Sequence, residues 1–178
     1  MPVVVIANPK GGVGKSTLAT NVAGYFASQG HAVMLGDADR QQSSRLWLGL
    51  RPPAARSIAT WDVSADLIVK PPKGTSHVVL DTPAGLHGWR FNDILKLADK
   101  IIVPLQPSVF DIFATRAFLD ELAGHRHAGK VEVALSACGW TVEPSPPTSC
   151  VNLSTAWACR CWAICATPRT MFIWQHAG

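Results

Sequence analysis

Residues 8–17, NPKGGVGKST, constrain the fold of this chain more than any other stretch. A glycine-rich loop closing on Gly14-Lys15-Ser16 lets successive backbone N–H groups turn toward one anion, a conformation that bulkier side chains would obstruct. Gly11, Gly12 and Gly14 supply that freedom. The context is equally specific. VVVIA (3–7) is a β-branched run ahead of the loop, and STLATNVAGYFASQG (16–30) has Leu18, Val22, Tyr25 and Phe26 near helical spacing with Gly30 as its stop. Strand, glycine-rich loop and helix in that order specify a phosphate site at the carboxyl end of a parallel sheet, with the helix aiming its positive end at the anion. Lys15 is placed to reach the β- and γ-phosphates and Ser16 to ligate Mg²⁺. Such a loop needs one lysine. Lys10 is a second, and its presence calls for a separate reason.

Two later segments end apolar strands in carboxylates. AVMLGDADRQQSS (32–44) carries Asp37 and Asp39, and HVVLDTPAGL (77–86) carries Asp81 followed by Thr82, Pro83, Ala84 and Gly85. A carboxylate at a strand end often caps a helix or turn, but three of them ordered after a phosphate loop fit the opposite wall of a nucleotide site. ADKIIVPLQPSVFDIFATRAFLDEL (98–122) reads as a buried strand, a proline-marked loop and a helix beginning near Asp111. Ile112, Phe113, Ala117, Leu119 and Leu122 are expected to form its core face.

KGGVGKST (10–17) resembles the deviant Walker A signature of the ParA/MinD group of P-loop ATPases. The resemblance implies a use for Lys10: crossing a dimer interface to touch phosphates bound by the partner subunit, so that ATP joins two chains and hydrolysis releases them. It also implies that Gly11, Gly12, Val13, Gly14, Lys15, Ser16 and Thr17 bind ATP, and that Mg²⁺ is held by Ser16 and Asp81 with Asp37 supporting its shell. Asp39 would position the attacking water, making Lys10, Lys15 and Asp39 the catalytic set. The family often has proline after the second aspartate of this element, where this chain has Arg40. Residues 82–85 would form the second switch. By the same resemblance the partners are a second copy of the chain, non-specific DNA and a ParB-like or cargo adaptor protein. The function implied is ATP hydrolysis driving DNA partition or cargo positioning, cytoplasmic and nucleoid-associated in the ATP state. The alternative is a metabolic ATP-dependent ligase of the same branch, similar to dethiobiotin or cobyrinate synthases, which would need a small-molecule pocket.

The expected fold is α/β: a doubly wound, mostly parallel sheet with strands near 3–7, 32–36, 77–81, 100–104 and 131–135. The chain's 178 residues, 48% of them hydrophobic, suit a single such unit. No segment has the apolar length of a membrane span, and Met1 leads straight into the first strand, matching the short form of ParA without an N-terminal helix-turn-helix. The terminal PRTMFIWQHAG lacks the character of a basic membrane-surface helix, so no membrane partner is expected. GLRPPAARS (49–57) and KPPKGTS (70–76) read as surface loops. A net charge of +4, with Arg45, Arg51 and Arg56 in one cluster and Arg116, Arg126 and Lys130 in another, permits contact with nucleic acid without requiring it. HRH (125–127) reads as exposed loop.

The domain is expected to occupy 1–135, and the chain beyond it differs. All five cysteines and four of the seven tryptophans fall in 136–178, against only three charged residues there, Glu143, Arg160 and Arg169. Cys-x-Cys-x₃-Cys at 159–165 has no partner group with zinc-site spacing. Back-translating this tail and reading it one base out yields a strand, a charged amphipathic helix and a second strand. We therefore expect 136–178 to be an out-of-frame, poorly structured tail, leaving the sheet incomplete on its C-terminal side.

Overall fold

The computed structural model describes residues 1–63, 71, 73–86, 88–139, 160–167 and 170–173. Its elements, in chain order, are β1 (Val3–Ile6), α1 (Lys15–Ser28), β2 (Val33–Asp37), α2 (Ser43–Gly49), β3 (Ala59–Trp61), β4 (His77–Asp81), α3 (Gly88–Leu97), β5 (Lys100–Leu105) and α4 (Val109–Ala123). A 3₁₀ turn at Ala128–Lys130, β6 (Glu132–Gly139), β7 (Arg160–Thr167) and β8 (Thr170–Ile173) follow.

One sheet runs in the order β3-β2-β4-β1-β5-β6-β7-β8. Every pairing from β3 to β6 is parallel, which gives the α/β architecture with a six-stranded parallel sheet; β7 and β8 add antiparallel pairings beyond β6. The five expected strands are present, and the last runs beyond 131–135 to Gly139. Within the expected tail, 136–139 belong to β6, while 140–159, 168–169 and 174–178 lie outside the described residues, as do 70 and 72 of the expected surface loop.

Successive side chains of β1 serve opposite faces, and both faces are covered. Val4 and Ile6 pack with Val33, Leu35 and Val79 under Ala19, Ala23 and Ala27 of α1. Val3 and Val5 pack with Val78, Leu80, Ile101 and Val103 under Phe91, Ile94 and Leu95 of α3 and Phe118 and Leu122 of α4. This explains why the central strands are continuous apolar runs rather than alternating ones.

Two helix faces are set from their N-termini. On α1 the row Lys15, Ala19, Ala23, Ala27 points inward; Leu18, Val22 and Phe26 flank it half-buried, and Tyr25 is exposed. The helix phase follows from seating Lys15 in the loop, and small alanines four residues apart then let the helix lie close on the sheet. On α4 the helix starts at Val109, and the inward residues are Asp111, Thr115, Phe118 and Leu122, so Ile112 and Phe113 are exposed instead of forming the core face. Here Ser108 caps the helix and holds Asp111, which fixes the rotation from its N-terminus.

Gly36 in β2 is a steric requirement. A Cβ there would meet Trp61 at 2.7 Å and Val63 at 2.9 Å, so only glycine lets β3 and the following segment close over β2.

Candidate nucleotide site

The carboxyl ends of β1, β2, β4 and β5 bring the sequence-derived residues to one edge of the sheet. β1 delivers the glycine-rich loop. Gly12 and Gly14 have φ of 77° and 88°, the left-handed region that glycine tolerates, and Gly11 does not need it. Pro9 stands where the general phosphate-loop pattern has its first glycine, and its carbonyl accepts the N–H of Gly85 at 2.8 Å. Thr82 donates to the Ile6 carbonyl at 2.8 Å. The segment expected to be the second switch is thus tied to the loop by two bonds.

The two lysines occupy different environments. Lys15 is 7% exposed, and its ammonium donates to the Lys10 carbonyl at 2.7 Å, closing the loop on itself. Burial holds its pKa below the ordinary lysine value, with the negative charges of Asp81 and Asp39 opposing that shift. Lys10 faces outward, with 39% of its side chain exposed, and its ammonium forms an ion pair with Asp111, itself 2% exposed. Hydrogen bonds from Lys10 and then Ser108 lower the Asp111 pKa despite burial. Val13 is buried, Ser16 half-buried and Thr17 exposed.

Asp81 is fully buried. Its Oδ2 accepts the Ser44 hydroxyl at 2.7 Å, while Oδ1 has no hydrogen-bond partner among the described residues. Burial raises its pKa, the neighbouring Ser16 and Ser44 hydroxyls oppose this, and repulsion from Asp37 and Asp39 reinforces it. An orphaned carboxylate oxygen, a neighbouring serine hydroxyl and a cluster of negative charge are the donor set that a hard, oxygen-preferring cation fits. Asp37 is committed elsewhere: Oδ1 accepts the Asp39 N–H at 3.0 Å, and Oδ2 accepts the N–H groups of Ser44 at 2.9 Å and Arg45 at 3.1 Å. It thereby caps the first turn of α2 from a distance and orients Ser44 toward Asp81. Asp39, half-buried, accepts the Gln41 N–H at 3.0 Å.

Several participating residues escaped the sequence reading. Ser44 joins Asp37 to Asp81; Gln42, at φ 51°, donates to the carbonyls of Asp37 and Asp39; and Gln106 donates to the Gly12 carbonyl at 3.1 Å. Asp111 and Asn8 are the most consequential. For Asp111 the signal was present, because Ser-x-x-Asp at 108–111 is a capping pattern whose acid falls in the first turn. At HRH, the His125 ring meets the Asn92 side-chain oxygen and is half-buried, while Arg126 is exposed. Arg51 stacks over Trp47 at 4.9 Å.

The sequence profile of the CobQ/CobB/MinD/ParA nucleotide binding domain matches residues 4–139. The chain belongs to this family of P-loop nucleotide-binding ATPases. Among curated members, it is 32% identical over 131 residues to maintenance of carboxysome distribution protein A of Gloeobacter kilaueensis, covering 70% of this chain and 60% of that protein. It is 28% identical to Protein ParA of Rhizobium radiobacter over 82% of this chain and 67% of that one. The chain therefore spans about 60% of the carboxysome relative's length. Among solved structures, the MinC:MinD cell division protein complex of Aquifex aeolicus aligns with TM-score 0.54 and 27% identity, over 75% of this chain and 67% of that one. The fold also recurs, at 20% identity and TM-score 0.59, in cobyrinic acid a,c-diamide synthase of Mycobacterium smegmatis, whose structure holds ADP and magnesium; 78% of this chain and 74% of that one align. Among the described residues, no helix is long and apolar enough to cross a membrane.

Proposed function

We propose that this chain encodes an ATP-dependent, dimerising ATPase of the ParA type, acting in DNA partition or the positioning of an intracellular cargo. The observation that carries the reading is the divergence of the two loop lysines: Lys15 turns into its own loop, while Lys10 sits half exposed at the rim. A cation at the rim of a phosphate loop, held by an ion pair with Asp111, is suited to exchange that carboxylate for a triphosphate held by a second copy.

In this reading the backbone from Gly11 to Thr17 holds the phosphates and Lys15 neutralises the β- and γ-oxygens. Ser16 and Oδ1 of Asp81 would hold Mg²⁺, with Asp37 supporting that shell through Ser44. Bound magnesium would supply electrostatic stabilisation of the transferred phosphoryl group. Asp39 orients the attacking water, and an accessory factor accelerates turnover. Non-specific DNA and a ParB-like or cargo adaptor are the proposed partners, with nucleoid association in the ATP state. We further propose that 1–135 form the ATPase domain and that 136–178 are translated out of frame.

A metabolic ligase is the second reading, supported by the fold shared with the cobyrinic acid synthase. Lys10 separates the two, because a ligase would turn over without it. Light scattering on the frame-restored chain should show dimer with ATP and monomer with ADP. Lys10→Ala should abolish the dimer and leave monomer nucleotide binding in place, whereas Lys15→Ala should weaken binding itself. Equal dimer in ATP and ADP defeats the proposal.

A further inference from the structure

Asn8 lies two residues ahead of Lys10 and is 1% exposed, yet every polar atom of its carboxamide is engaged. Its Nδ2 donates to the Pro104 carbonyl at the end of β5, at 2.7 Å, with a longer contact of 3.4 Å to the Thr115 hydroxyl on α4. Its Oδ1 accepts the Lys10 N–H at 2.9 Å. The carbonyl of that same Lys10 accepts the Lys15 ammonium at 2.7 Å. A relay thus runs from β5 through Asn8 and the Lys10 peptide groups to the buried lysine of the loop. A buried amide of this kind could serve only to satisfy the Pro104 carbonyl, but its oxygen accepts the N–H of Lys10, whose own carbonyl holds the Lys15 ammonium.

We propose that Asn8 is the positioning residue of the two-lysine loop. By fixing the Lys10 peptide it sets where the Lys15 ammonium rests and the point from which the Lys10 side chain departs. Asn8 touches no phosphate itself. Without it, the buried Pro104 carbonyl loses its donor and the Lys10 N–H its acceptor, and the loop is free to move the Lys10 carbonyl away from Lys15. Lys15 bears on the β- and γ-phosphates and Lys10 on the triphosphate of a second copy, so the γ-phosphate is the group they share and the expected signature is a larger loss for ATP than for ADP. This inference rests on the nucleotide-binding reading above.

The test is equilibrium dialysis of labelled ATP and ADP, each with Mg²⁺, against the frame-restored chain, with thermal midpoints measured in parallel. Asn8→Ala is expected to reduce ATP affinity relative to ADP by about tenfold, the scale of one lost hydrogen bond on a charged network. Asn8→Ser can still accept the Lys10 N–H across two residues and should recover most of the preference. Thr115→Val, which removes only the long contact, should leave it unchanged. In a Lys15→Ala background, Asn8→Ala should add nothing, because the group it positions is gone. Asn8→Leu, which keeps the volume, serves the same measurement if the alanine variant does not fold. Equal weakening of ATP and ADP, or full additivity with Lys15→Ala, reduces Asn8 to a structural residue and overturns the proposal. A parental chain that binds both nucleotides while its Asn8 variants keep their preference overturns this inference alone, whereas a parental chain that binds neither overturns the nucleotide reading as well.

Discussion

Residues before and after Leu135 follow different rules. In the first region the buried charges have jobs: Lys15 closes the loop, Asp111 holds Lys10, and Asp37 caps α2. In the second, cysteine and tryptophan replace charge. Parallel strands need crossover connections, usually helical, whereas antiparallel ones do not. The sheet is parallel up to β6 and antiparallel from β6 onward, and the family match ends at residue 139, the last residue of β6. Parallel topology therefore stops where the family profile ends. The contrast teaches that apolar content alone does not extend this architecture. A further βαβ unit also needs a charged helix face to cover the sheet.

The most severe way to break this contrast is genetic. Restoring one base at the junction should turn a poorly soluble chain with little ATPase activity into a soluble, active one, read by yield and phosphate release. A sequence-verified gene whose 178-residue product is folded and active would erase the distinction between the two regions. A sharper question concerns chemistry within the first region. In the frame-restored chain, Asp39→Ala should slow hydrolysis by roughly 10²-fold, within the usual range for losing a group that manages a proton or water, while ATP-dependent dimer persists. Parental turnover in that variant removes Asp39 from the water-orienting role. The smallest effect is one of stability. Folding raises the Asp81 pKa above its ordinary 3.8, so ionising it costs stability as pH climbs from that value toward the raised one, and the cost persists at neutral pH. Asp81→Asn should thus raise the melting temperature at pH 7 by a few degrees, on the order of 4 °C, and flatten its acid-to-neutral dependence, while Mg²⁺-dependent ATP binding falls. An unchanged or lower melting point would show that Asp81 carries no such burden.

Much of this arrangement was legible because its signals are local. Apolar runs marked β1, β2, β4 and β5, and the loop announced itself by its glycines and lysines. Most of what was missed depends on a partner far along the chain. Asn8 meets Pro104 and Thr115, 96 and 107 residues away, and Lys10 meets Asp111, 101 residues away. The Lys10–Asp111 pair and the Ser108 cap rotate α4 so that Val109, Phe110, Ile112 and Phe113 face outward, against the apolar periodicity of that segment. The short α2 and β3 were missed for a related reason. A remote cap from Asp37 and a glycine gap over Gly36 define them, and neither is a feature of their own residues.

The strand order has a consequence for how the chain is made. β1 emerges first from the ribosome, but its two neighbours in the sheet are β4 and β5, and β2 is separated from it by β4. A nascent chain that has just finished the phosphate loop and α1 therefore has no strand to pair with β1 until residues 77–81 have been synthesised, and the other flank waits for 100–105. Asn8 stays without its Pro104 acceptor for the same interval, several seconds at ordinary rates of elongation. Among the described strands, β1 is therefore made before either of the partners that complete it, and its apolar run waits unpaired for that interval.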